Sequence, residues 1–148
     1  MKFSIRIHCF AEIVILTLAA APVLAQMDAH GYFEACDQKK ELPDYRSELE
    51  STPRSSLANY CAAELQFQKR KYQASVNSYR LSRDGDGDPA WTRVWSLLQI
   101  GKIFDVTGQR ERAVMEYQLA IETGDNTGGA IDQAHELLEH PFEWPGDQ

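Results

Sequence analysis

The stretch VWSLLQIGKIFDVTGQRERAVMEYQLAIETGDN, Val94 to Asn126, decides the fold. Leu97, Ile100, Gly101 and Phe104 recur at helical spacing and mark the inner face of one helix. Gly108 ends that helix in a turn, and Ala113, Tyr117 and Ala120 mark the inner face of a second. The small residues matter as much as the large ones. Gly101, Ala113 and Ala120 leave gaps, and the rings of Phe104 and Tyr117 can fill them where two helices pack closely. The reading is a helical hairpin.

A weaker copy lies upstream. Tyr79 and Tyr117 are 38 positions apart, as are Ser75 and Ala113, and Ser82 and Ala120. Between the copies lies Asp84–Pro89, DGDGDP, where an insertion costs little. Ala63 takes the small position of the first helix, and Gln66 stands where an aromatic is expected. Tyr72, Ser75, Tyr79 and Ser82 fit the second helix, with Ser in place of Ala twice. Gly128–His140, GGAIDQAHELLEH, reads as a lone closing helix with Ala130, Ala134, Leu137 and Leu138 on one face and Pro141 as its stop.

Leu97, Ile100-Gly101, Phe104, Gly108, Ala113, Tyr117 and Ala120 resemble the tetratricopeptide repeat, with Asp125 departing from the closing Pro. The resemblance spans about Ser55 to Pro141. It implies an all-α solenoid of about two stacked hairpins and a capping helix. It further implies a concave groove on the first helices, with second helices forming the back. The implied groove residues are Tyr60, Glu64 and Phe67 in the first repeat and Leu98, Lys102 and Asp105 in the second. Asp132 and Glu136 extend them on the cap. Such a surface suits an extended peptide or a partner helix. The alternative is that Tyr60 and Phe67 are core and the charges a solvated face. Trp91 and Trp95, four apart, share a helix face; packing is the reading for Trp95, and Trp91 is left open.

Residues 1–25 read as a secretory signal peptide: Lys2 and Arg6, then the apolar Ile13–Ala21, then Val23-Leu24-Ala25 before cleavage. The apolar run is short for a membrane span, and an uncleaved anchor is the alternative. Losing Lys2, Arg6 and Glu12 takes the net charge from −7 to about −8. An acidic chain without a basic stripe argues against nucleic acid and against an anionic membrane surface. Export makes a Cys36–Cys61 disulfide the first reading, with two buried free thiols as the alternative. Residues 26–54 read as an N-terminal helical segment, either a degenerate upstream hairpin or its second helix alone. Tyr32, Phe33 and Cys36 form a short face, Tyr45 and Leu49 share a side, and Pro53 breaks the chain. Residues 142–148 read as a flexible tail.

Catalytic and metal patterns are weak. His135–His140, HELLEH, has its histidines five apart rather than the four of a zinc-protease helix, which leaves His135 with Glu139 as a two-ligand fragment. Asp84, Asp86 and Asp88 alternate as in a calcium loop, but Pro89 and Trp95 occupy the Gly and Glu places of an EF-hand. There is no Gly-x-Ser-x-Gly elbow and no phosphate-binding glycine loop. The expected function is an exported, non-enzymatic interaction module that binds a protein or peptide partner, with no cofactor and no metal. The alternatives are a secreted metal-dependent hydrolase using His135 and Glu139, and a self-associating homo-oligomer.

Overall fold

The computed structural model of the chain describes Cys36 and residues 40–145. Among these, six α-helices and one 3₁₀ turn form an all-α fold without strands: α1 (Leu42–Ser51), α2 (Ser56–Gln68), α3 (Tyr72–Arg83), α4 (Thr92–Val106), α5 (Arg110–Glu122), a 3₁₀ turn (Thr127–Gly129) and α6 (Ala130–Glu139). No helix here is long and apolar enough to cross a membrane. The residues read as a signal peptide, and Tyr32 and Phe33, lie outside the described part.

Each helix packs on its neighbours in sequence. In addition α2 touches α4, and α4 touches α6, so these three share one side. Helix α4 lies centrally, and Val94, Trp95, Leu98 and Ile100 have no exposed surface. Gly101 sits directly against the ring of Tyr117, while Ala113 and Ala120 are fully buried. The α4–α5 hairpin therefore closes through the small and aromatic positions read from the sequence.

The α2–α3 hairpin uses the same plan with polar substitutions. Ser75 Oγ donates to the Ala63 carbonyl at 2.8 Å, and Ser82 Oγ to the Ser56 carbonyl at 2.8 Å. A hydroxyl thus bonds across the crossing where the second hairpin has only a methyl group. Gln66 is also satisfied, accepting from Ser78 Oγ at 3.1 Å. The two interhelix turns match bond for bond. Lys71 N donates to the Gln66 carbonyl and Gln109 N to the Phe104 carbonyl, at 2.8 and 2.7 Å. Gly108 adopts the left-handed conformation (φ 72°) that this turn requires, and Arg70 adopts it (φ 54°) without being glycine.

The segment DGDGDP closes the base of the first hairpin. Asp86 Oδ1 accepts from Ser56 N at 3.0 Å and so caps α2 from the loop that follows α3. Gly87 N donates to Ser56 Oγ at 2.9 Å. Helix α4 starts at Thr92, after a turn in which the Thr92 amide and hydroxyl both bond the Pro89 carbonyl.

Cys36 and Cys61 form a disulfide with a Cα–Cα distance of 5.5 Å, which joins the segment before α1 to the middle of α2. Such a bond fits an oxidising compartment. Helix α1 carries Tyr45 and Leu49 against the core. Trp95 is fully buried and its indole nitrogen donates to the Thr127 carbonyl at 3.1 Å, while Trp91 meets the edge of Tyr60 at 5.1 Å.

One expectation fails. Phe142 and Trp144, read as part of a flexible tail, are half-buried and carry specific bonds, while Gly146, Asp147 and Gln148 lie outside the described residues. The cause is an aromatic seat far away in sequence, around Phe67 and Tyr72.

Candidate functional site

The shared side of α2, α4 and α6 is crossed by the chain's own C-terminal strap, Pro141 to Pro145. It starts beside α4, where Phe142 N donates to Asp105 Oδ2 at 2.9 Å. It ends near the α2–α3 turn, where the Trp144 indole donates to the Tyr72 hydroxyl at 2.9 Å. Between these points the Phe142 and Trp144 rings lie 6.3 and 4.8 Å from Phe67. Two cations complete the seat: Lys102 Nζ lies 5.3 Å from the Phe142 ring centre, and the Arg70 guanidinium 5.3 Å from that of Trp144.

The expected groove residues separate into three groups. Tyr60 and Leu98 have no exposed surface and belong to the core in this state. Glu64, Phe67, Lys102 and the Asp105 carboxylate are buried on or beside the face that the strap crosses. Asp132 and Glu136 are exposed on α6. Beneath the strap, Glu64 Oε1 accepts from the Tyr79 hydroxyl at 2.6 Å and from Gln99 Nε2 at 2.7 Å. Burial, and then the Glu64 carboxylate, hold the Tyr79 hydroxyl well above its ordinary pKa. Gln99 Oε1 has no hydrogen-bond donor among the described residues.

Asp105 is the hub at the other end. It accepts from Arg110 Nη1 at 3.0 Å, from the Tyr117 hydroxyl at 2.7 Å and from Phe142 N. Arg110 Nη2 in turn bonds the Leu137 and Leu138 carbonyls at 2.9 and 2.6 Å, closing the C-terminal end of α6. The strap's departure point is thus fixed by the α4–α5 turn.

Lys102 is only 5 % exposed, and burial pushes its pKa down to about 8 against the opposing pull of Glu64 and Glu136. The folded chain holds this proton less tightly than the unfolded chain. The penalty is therefore full below pH 8 and fades as pH rises towards 10.5, so stability increases across that window. Above about pH 10 the raised tyrosines act oppositely, because unfolding frees Tyr79 and Tyr117 to ionise. The lowering at Lys102 corresponds to about 3 kcal/mol. Lys102→Met is expected to raise stability at pH 7 by about 2 kcal/mol, after the lost cation–π contact is deducted. Urea titrations at pH 7 and pH 9.5 check this: the pH 9.5 advantage of the wild type should vanish in the variant.

A cleft of about 680 Å³ between α3, α4 and α5 is lined by Arg83, Arg93, Leu119 and Glu122, away from the strap. His135 and Glu139 are exposed on α6. Asp84 pairs with Arg83 and Asp86 caps α2, so two of the three alternating acids are used within the fold. Among the described residues no group of three His, Cys, Asp or Glu is placed to hold a metal ion. The strap itself was the residue set that sequence reading missed; its one signal was two aromatics at alternate positions in an otherwise polar end.

No family model matches the chain, and neither does any curated protein or solved structure.

Proposed function

We propose that the chain is an exported, non-enzymatic interaction module of the tetratricopeptide type that binds an extended segment of a partner protein on the shared side of α2, α4 and α6. The observation that carries the reading is that this side already holds an extended segment, the strap, through aromatic and cationic contacts. The packing of Gly101 on Tyr117 supports the repeat type, and the Cys36–Cys61 bond supports export. Acidity keeps such a module soluble and away from nucleic acid.

Photo-crosslinking in the native host tests the face. A photoreactive residue at the exposed Asp132 or Glu136, beside the strap side, is expected to trap a partner. The same residue at exposed Leu81 or Met115, on α3 and α5, is expected to trap none. Trapping only at Leu81 or Met115 would move the interface to the second helices and overturn the reading.

A further inference from the structure

We infer that Phe142-Glu143-Trp144 is a built-in occupant of this face, and that the external ligand it accepts is an extended segment with aromatic rings at two alternate positions. The inference rests on the reading that the side shared by α2, α4 and α6 is the binding surface.

The strap has the form of a bound peptide. Its residues alternate: Pro141, Glu143 and Pro145 are exposed, while Phe142 and Trp144 turn inward. Its two rings meet a prepared seat of Phe67, Tyr72, Arg70 and Lys102. Its backbone is anchored where Phe142 N donates to Asp105. It follows the last helix, so it can leave without any helix unwinding.

The seat is built to be covered by aromatic rings. Phe67 is only 5 % exposed beneath the two strap rings, and without them its ring would meet water. Beside it Glu64 is already satisfied from within the fold, by the Tyr79 hydroxyl and Gln99 Nε2, so the rings above are what the seat is left to hold. Arg70 points the same way. Its turn demands a left-handed residue, and the matching turn has Gly108; the first hairpin keeps an arginine there, and its guanidinium stacks over Trp144. A ligand with the same ring spacing would take over each of these contacts.

The probe is a fluorescein-labelled peptide with the chain's own His140–Gln148 sequence, titrated with the full chain and read by anisotropy. The full chain carrying Phe142→Ala and Trp144→Ala is expected to bind it about tenfold more tightly than the wild type, because the competing strap is disabled. Adding Phe67→Ala should remove that gain, and a peptide with both aromatics replaced by alanine should not bind. Circular dichroism checks that each variant is folded. Trp144→Ala alone, a milder change, should fall between wild type and double variant. Equal affinity of wild type and double variant, lost in both with Phe67→Ala, would overturn the strap as competitor while leaving the face as the binding surface. Binding indifferent to Phe67→Ala would overturn the underlying reading and the inference with it. No binding by any variant would overturn the inference. A wild-type dimer that the double variant abolishes would place the strap on a second copy and overturn the intramolecular arrangement.

Discussion

Alanine at position 101 is expected to lower stability by about 3 kcal/mol, a large penalty for one methyl group. A Cβ at Gly101 would overlap Cε1 of Tyr117 and lie 2.7 and 2.8 Å from its Cδ1 and Cζ. The ring has no ready retreat. Tyr117 is fully buried, and its hydroxyl is held by Asp105, which also holds Arg110 and the strap amide. Moving the ring therefore costs a charge-assisted hydrogen bond as well as packing. Alanine also favours the helix by about 1 kcal/mol over glycine, and overpacking must outweigh that gain. Urea denaturation of Gly101→Ala beside wild type measures the difference. An unchanged midpoint would mean that α4 and α5 do not cross at Gly101.

Removing the disulfide should cost still more. Replacing both Cys36 and Cys61 by alanine is expected to lower stability by about 3.5 kcal/mol, the loop-closure entropy for a separation of 25 residues. Both sulfurs are buried, so the loss adds to whatever packing the alanines forfeit. Reduction of the wild type should bring its denaturation midpoint close to that of the double variant. If reduction leaves the midpoint unchanged, the two thiols are not bonded in solution.

The hairpin positions were legible because their signal is local. Gly101, Ala113, Tyr117 and Ala120 are spaced by the helix itself, and steric size alone says which can sit at a close crossing. Ser75 and Ser82 looked like erosion of that pattern. They are instead hydrogen-bond donors to carbonyls of the facing helix, a role that residue size does not reveal. For the candidate face, the resemblance implied Glu64, Phe67 and Lys102 on one side, but it could not say that the side is covered. The covering contacts join residues as far apart as Tyr72 and Trp144, and no periodicity links them. Tyr60 lies in the core, as the alternative reading had it, and so does Leu98: on a helix buried nearly all round, the side away from its hairpin partner is still core.

Asp86 has a consequence for the order in which the chain can assemble. It bonds the first amide of α2 from beyond the end of α3, Asp86 N returns a bond to the Arg54 carbonyl at 2.8 Å, and Arg54 Nη2 reaches the Gly85 carbonyl at 3.1 Å. Residues 54–87 thus form a ring clasped at its base. During synthesis α2 lacks this cap until about thirty further residues have left the ribosome. The first hairpin then completes both ends at once, and fraying at the start of α2 and at the end of α3 become one event.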